Sequence, residues 1–292
     1  MKQISIISGK GGTGKTSIAA SFASLVNNAV FADCDVEATD LHLIFKPKVE
    51  DTFEYNSLKK VQIIQDECIR CGLCFNLCRF DAIDRIKNKY YVRTFSCEAC
   101  DLCRKACPVS AIEPINKKSG EYFVSSSRFG PLVHGQLEVG AEISGELISH
   151  IKDLARGVGN KENKDFLIID GPPGIGINAI ASITGSDVAL LIAEPTQSGI
   201  HDLKRSMELA KNYDIPVKVI INKWDLNPKI ASQIEEYCKF ESIEILVKIP
   251  YDRKVSHAMF QQESVVEYSP DSEVSLILSK AWEKLSTTNG KL

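Results

Sequence analysis

Gly9-Lys10-Gly11-Gly12-Thr13-Gly14-Lys15-Thr16 is the stretch that decides the fold. Before it stands Ile4-Ser5-Ile6-Ile7, a short apolar run that predicts a buried strand. After it, Ile18, Phe22, Leu25 and Val26 recur at helical spacing. Strand, glycine-rich turn and helix are what a phosphate-binding loop requires. The glycines let backbone N–H groups turn inward and approach phosphate oxygens closely. The helix N-terminus adds its partial positive charge at the same spot. In such a loop Gly9 to Ser17 form the nucleotide cradle, Lys15 reaches the β- and γ-phosphates, and the Thr16 hydroxyl ligates Mg²⁺. A chance glycine turn is the competing reading, and the full octamer between strand and helix argues against it.

The composition narrows the classes. A chain of 292 residues has room for one large domain or two smaller ones, and a hydrophobic fraction of 44% supports a proper core. A net charge of −3 and a pI near 6.0 give no global basic field for nucleic acid. No apolar run approaches the ~18 residues that span a membrane. Residues 4 to 7 lead straight into the glycine loop and leave no room for a signal peptide. Ten cysteines beside a phosphate loop argue for metal rather than for a disulfide scaffold. The expected compartment is the cytoplasm.

Eight of those cysteines form two runs. Cys68, Cys71, Cys74 and Cys78 follow a C-x₂-C-x₂-C-x₃-C pattern, and so do Cys97, Cys100, Cys103 and Cys107, offset by 29 residues. Leu73 and Leu102, Ala82 and Ala111, and Ile83 and Ile112 repeat with them. This spacing resembles that of bacterial ferredoxins carrying two [4Fe–4S] clusters, where each run's fourth cysteine ligates the other cluster. That resemblance assigns Cys68, Cys71, Cys74 and Cys107 to one cluster, and Cys97, Cys100, Cys103 and Cys78 to the other. Zinc ribbons instead pair separated C-x₂-C knuckles, and disulfides are out of place in a cytosolic enzyme. Arg79 stands where the ferredoxin pattern has proline, while Cys107-Pro108 keeps the rule. Arg79 removes no ligand.

Further along, Ala29 to Ala32 read as the second strand, ending in Asp33-Cys34-Asp35. Acidic residues at a strand's C-terminal end beside a phosphate loop suit Mg²⁺ and water positioning. Cys34 reads as a small core residue. Asp165 to Asp170 form an apolar strand ending in aspartate, followed by Gly171-Pro-Pro-Gly. This is a Walker B end, with Asp170 toward Mg²⁺ and the Gly171 N–H toward the γ-phosphate. Residues 187–193, 217–221 and 243–247 predict three more strands, and a helix runs to about Tyr213. Val274, Ile277, Leu278, Ala281, Trp282 and Leu285 share one face of a C-terminal helix. Only Lys280 and Lys284 flank that face, so it is expected to dock on the sheet rather than on a membrane. The five histidines show no ligand spacing.

Lys10, directly after the first glycine, makes the loop resemble the deviant pattern of the MinD, ParA, Mrp and nitrogenase iron protein family. In that family this lysine crosses a dimer interface to the partner's nucleotide, which implies an ATP-dependent homodimer. The family also has Asp-x-Asp at residues 33–35, so Asp35 takes the role of activating water, and residues 170–176 match its switch II. Asn222-Lys223-Trp224-Asp225 resembles the base-recognition sequences of related NTPases, with Asn222 on adenine; guanine is the alternative. Pro250 matches the family's turn beside the base. The resemblance implies a doubly wound, mainly parallel α/β sheet with a small inserted α+β ferredoxin-like domain. The expected divisions are 1–59 and 120–292 for the ATPase core and 60–119 for the insert. It implies ATP, Mg²⁺ and two [4Fe–4S] clusters, with Lys10, Lys15, Asp35 and Asp170 as catalytic residues. The function implied is nucleotide-gated electron transfer to an unidentified redox partner. An iron–sulfur carrier or a positioning switch with structural clusters is the alternative, and neither nucleic acid nor stable membrane association is expected.

Overall fold

The computed structural model describes residues 1–36, 40–56, 60–115, 118–138, 141 and 145–287. The chain divides into two compact units: Met1–Phe53 with Glu121–Leu137 and Ile143–Leu292, and Glu54–Gly120 with Glu138–Glu142. In chain order the elements are β1 (Lys2–Ser8), α1 (Lys15–Leu25), β2 (Ala29–Asp33), α2 (Leu41–Phe45) and β3 (Lys48–Asn56). Next come β4 (Lys60–Ile63), α3 (Leu73–Leu77), β5 (Ile83–Ile86), β6 (Lys89–Val92), α4 (Leu102–Ala106) and β7 (Ile112–Ile115). They are followed by β8 (Lys118–Ser126), β9 (Leu132–Leu137), α5 (Gly145–Lys161), β10 (Phe166–Pro173), α6 (Ile177–Ile183) and β11 (Val188–Ala193). The last are α7 (Gln197–Asn212), β12 (Val217–Asn222), α8 (Pro228–Phe240), β13 (Glu244–Ile249), α9 (Arg253–Phe260), α10 (Val265–Tyr268) and α11 (Glu273–Thr287).

The larger unit is built on a sheet of order β13-β12-β11-β1-β10-β2-β9-β8-β3. From β13 to β9 every neighbouring pair is parallel. Strands buried on both faces need apolar residues at odd and even positions alike, and β1 supplies them. Ile4 and Ile6 pack with Phe22 and Trp282 in the layer of α1 and α11. Ile7 faces the other way, toward Leu203, Met207 and Ile234 in the layer of α7 and α8. Helices thus cover both faces, as a doubly wound sheet requires. The C-terminal stripe docks as expected: Val274, Leu278, Ala281, Trp282 and Leu285 are buried, and Ile277 packs beside them. Among the described residues no helix is long and apolar enough to cross a membrane.

β3, like the helices α2, α8, α9 and α10, is an element the sequence pattern did not announce. Along Lys-Val-Glu-Asp-Thr-Phe-Glu-Tyr-Asn only Tyr55 is buried, so an edge strand forms here without an apolar face. Edge strands tolerate this, and the charges on it discourage further pairing.

The smaller unit repeats itself in backbone as in sequence. Arg70 and Ala99, Gly72 and Asp101, and Asp81 and Ser110 all take left-handed φ at matching places in the two cysteine runs. β4 pairs antiparallel with β7, and β5 with β6 across Lys87-Asn88, both at positive φ as a two-residue hairpin turn demands. Val61, Ile63, Ile83, Tyr90 and Ile112 form its buried cluster.

Candidate functional site

The phosphate loop connects buried β1 to α1, and Gly14 caps the helix at φ 96° with Asn222 packed against its open side. A Cβ there would lie 2.4 Å from the Asn222 amide nitrogen, so the position admits only glycine. Lys15 is buried at the start of α1. Thr16 donates its hydroxyl to Asp170 Oδ2 at 2.8 Å. Asp170 and Asp33 are register partners on β10 and β2, so two carboxylates stand side by side, at the C-terminal end of β2 and within β10, which continues to Pro173 rather than ending at the aspartate. Asp33 Oδ1 accepts the Asp35 N–H at 3.1 Å, and Asp35 is itself buried.

This acidic corner is electrostatically unfinished. Asp170 Oδ1, Asp33 Oδ2 and Thr13 Oγ1 are buried polar atoms with no hydrogen-bond partner among the described residues. Burial pushes the Asp170 carboxyl up to about 7, with Lys15 and the Thr16 hydroxyl opposing and Asp35 adding to the rise. Burial, and then the neighbouring Asp170, push Asp33 well above the carboxylate range. A divalent cation would supply the missing charge, and orphaned carboxylate oxygens beside a Thr hydroxyl are hard-oxygen donors suited to Mg²⁺. Cys34, between the aspartates, is fully buried with its thiol pushed far up, which leaves it un-ionised and packed as a core residue. Gly171 follows Asp170 inside β10, where a Cβ would lie 2.7 Å from Ile7 Cγ2.

Lys10 points elsewhere. Its ammonium group donates to Thr196 Oγ1 at 2.9 Å and Ser198 Oγ at 3.4 Å, and it lies 3.1 Å from Glu194 Oε2. Lys223 takes the other oxygen of Glu194 at 3.2 Å and donates to the Gly12 carbonyl at 3.0 Å. Asn222 donates its amide to the Thr13 carbonyl at 2.7 Å and accepts the Lys223 N–H with its oxygen. Asn222 and Lys223 therefore brace the phosphate loop from below. Pro250 follows β13, and the next N–H, of Tyr251, binds Asp225 Oδ1 at 2.7 Å. That bond ties the residue 222–225 turn to the turn at Pro250. Glu194 and Thr196 lie at the site although no sequence spacing singled them out, and Lys223, read within the base-recognition motif, turns to Glu194 and the phosphate loop. Their signal is a contact between loops almost two hundred residues apart, and no local pattern carries it.

The eight cysteines of the smaller unit are free thiols sorted into two hollows. One, with about 410 Å³ of atom-free space, is lined by Cys78, Cys97, Cys100 and Cys103 together with Leu77, Ile83 and Leu102. The other, with about 320 Å³, is lined by Cys68, Cys71, Cys74 and Cys107 with Ile63, Tyr90 and Pro108. Each hollow joins three cysteines of one run to the fourth of the other. Burial raises the Cys74 thiol and pushes Cys103 up to about 11, where the Arg104 N–H opposes the rise and Cys97 and Cys100 add to it. Among the described residues no three His, Cys, Asp or Glu side chains close on a single metal ion. Ala82 N–H donates to Cys78 Sγ at 3.3 Å.

Comparison with known proteins adds four findings. An uncharacterised protein of Methanocaldococcus jannaschii is 43% identical over 228 residues, covering 77% of this chain and 79% of that one. The same organism's iron–sulfur cluster carrier protein is 28% identical over 132 residues, 41% of this chain and 44% of the carrier. The septum site-determining protein MinD of Pyrococcus horikoshii, solved with Mg-ADP, superposes with a TM-score of 0.56 at 18% identity, covering 98% of this chain and 96% of that one. Its likeness is one of fold. Residues 4–265 match the CobQ/CobB/MinD/ParA nucleotide binding domain, and with its phosphate loop and mainly parallel sheet the chain belongs to this family of P-loop ATPases.

Proposed function

We propose that this ATPase uses its nucleotide state to gate electron transfer through two [4Fe–4S] clusters held in the cysteine hollows. The observation that carries the reading is the crosswise sorting of eight thiols, three from one run and one from the other, around each hollow. A zinc site needs its ligands to converge on one point at about 2.3 Å, whereas a cubane holds its four thiolates apart around its own volume. Cys68, Cys71, Cys74 and Cys107 would hold one cluster and Cys78, Cys97, Cys100 and Cys103 the other. When bound, such clusters supply one-electron chemistry at low potential.

The nucleotide site supplies the other half. Lys15 would neutralise phosphate charge, Thr16 and Asp170 would hold Mg²⁺, and Asp35 would orient the attacking water. Gly171 reads the γ-phosphate through its N–H, and Lys10 acts across an ATP-dependent homodimer. The second reading, an ATP-dependent iron–sulfur carrier, is favoured by the similarity to a carrier protein. Complete ligand sets favour retention over delivery, and so electron transfer. The partner would be a redox protein in the first reading and a cluster acceptor in the second.

The test is thermodynamic. Coupling free energies of about 1 to 3 kcal/mol are typical of linked sites, which for one electron correspond to roughly 40 to 130 mV. Reduction potentials measured with ADP, with a non-hydrolysable ATP analogue and without nucleotide should differ by that amount. Reduction should change nucleotide affinity by the same factor. Identical potentials in all three states would sink gated electron transfer and leave the carrier reading ahead.

A further inference from the structure

We infer that Glu194 is a positioning residue that holds Lys10 inside its own subunit and so sets how readily ATP drives two subunits together. The inference rests on the homodimer reading given above. Lys10 carries three N–H donors, and all three find oxygen in cis: Glu194 Oε2, Thr196 Oγ1 and Ser198 Oγ. The holder is built into the fold. Glu194 directly follows buried β11, and its side chain is only 16% exposed. Thr196 is fixed as the N-cap of α7, accepting the Gly199 N–H at 3.0 Å. Ser198 lies in the first turn of that helix. Lys223 clamps the carboxylate from the other side and anchors on the Gly12 carbonyl, so the latch reaches the phosphate loop at two points. Burial opposes ionisation of Glu194, yet hydrogen bonds from Lys10 and Lys223 keep its carboxyl below the ordinary range.

A lysine that reaches into a partner subunit must first give up these three contacts. The dimer therefore gains only the difference between what Lys10 meets in trans and what it leaves in cis. Removing the Glu194 charge while keeping its shape lowers the cost of leaving. Charge-assisted hydrogen bonds of this kind correspond to about a three- to tenfold change in an equilibrium constant after partial exposure is discounted.

The experiment measures dimerisation of the full-length chain by sedimentation velocity with a non-hydrolysable ATP analogue. Four proteins are compared: wild type, Glu194→Gln, Lys10→Ala and the double variant. Glu194→Gln should tighten the dimer about three- to tenfold in the wild-type background and leave it unchanged in the Lys10→Ala background. That non-additivity is what a latch acting through Lys10 produces and what a general structural role for Glu194 would not. If Glu194→Gln weakens the dimer, leaves it unaltered or acts equally in both backgrounds, the latch is wrong while the dimer stands. If wild type stays monomeric with the analogue, the dimer reading and the latch fall together.

Discussion

In the larger unit, Ile4, Ile6, Phe22, Leu190 and Ile220 are buried to the last atom, and two hydrophobic layers sandwich the sheet. In the smaller unit the buried cluster is Val61, Ile63, Ile83, Tyr90 and Ile112, and the groups packed around it are Val92 and six cysteines. α3 and α4 bury no residue at all. Both units come from the same chain under the same solvent, yet one is held by apolar area and the other lacks enough of it. A domain this small and this thin in core ordinarily leans on disulfides or metal, and its thiols are unpaired. If the proposed clusters fill the hollows, the difference teaches that the cysteines of the smaller unit are part of its folding energy as well as of its chemistry. In the larger unit three of the unsatisfied buried atoms, on Thr13, Asp33 and Asp170, gather around the phosphate loop and its acidic corner, and the other two, Asn178 Oδ1 and Ser206 Oγ, lie on α6 and α7.

The largest effect that would test this comparison is loss of the iron proposed for the smaller unit. Protein prepared without oxygen should carry about eight iron and about eight acid-labile sulfide per chain. Stripping the iron should abolish amide protection in β4, β5, β6 and β7 while β1, β10 and β11 keep theirs, as read by hydrogen exchange of peptides. Cys74→Ser with Cys103→Ser should do the same. Full protection of the small unit without iron, or one stoichiometric zinc without sulfide, would remove the contrast.

Next in size are the two lysines of the phosphate loop. Lys15→Ala should lower ATP hydrolysis on the order of 100-fold or more and weaken Mg-nucleotide binding, because its ammonium meets phosphate in its own subunit. Lys10→Ala should lose hydrolysis comparably while binding within a few-fold of wild type. Iron content should stay constant in both. A Lys10→Ala protein that hydrolyses ATP normally would end the cross-subunit assignment; a change in iron would show that the two regions do not stand on separate footings.

Sequence reading reached these regions unequally, for physical reasons. The phosphate loop is legible because its constraint is local: glycines at fixed spacing, a lysine, a hydroxyl, all within eight residues. The cysteine runs are legible for the same reason, and repetition at 29 residues doubles the signal. α11 is legible because period 3.6 survives in Val274, Leu278, Ala281 and Leu285. β3 is not, since an exposed edge strand has no apolar face to write into the sequence. The module boundary shows the consequence. Composition suggests residues 60–119, whereas the compact small unit runs Glu54–Gly120 and takes in Glu138–Glu142. The Lys10–Glu194–Lys223 bridge was out of reach because its partners come from three separate loops. Asn222, read from its resemblance as a base contact, spends its amide on the Thr13 carbonyl, an interaction that only the folded loop reveals.

The smallest effect concerns how the larger unit is held, and it separates the two units by pH. Lys152 on α5 is buried, and its ammonium donates to the Ala181 carbonyl at 2.9 Å and the Thr184 carbonyl at 2.7 Å, closing the C-terminal end of α6. Burial lowers its pKa from 10.5 to about 8, with Arg156 helping and Asp153 opposing. In the unfolded chain the same lysine titrates near 10.4. Between about pH 8 and that value the unfolded state therefore binds more protons than the folded one, so unfolding free energy rises with pH across this window. Below pH 8 the side chain is charged in both states, and the full cost of burying that charge is present. The contribution of Lys152 on moving from pH 8 to pH 10 should be about 1 to 3 kcal/mol, from a shift of roughly two units at 1.36 kcal/mol each, and the raised thiols of Cys34 and Cys238 oppose it in the same unit. Lys152→Met should flatten this slope. It should also loosen α6, whose last carbonyls lose their donors. Urea unfolding of the larger unit, followed by hydrogen exchange in β1 and β10 at several pH values, reads the slope directly. The smaller unit contains no buried lysine among its described residues, so its transition should show no such rise. A Lys152→Met variant whose stability follows the same slope as wild type from pH 8 to 10 would show that the buried ammonium keeps its ordinary pKa and that the α5–α6 contact is held by apolar packing alone; the difference between the two proteins is the readout, because the raised Cys34 and Cys238 thiols tilt both curves the other way.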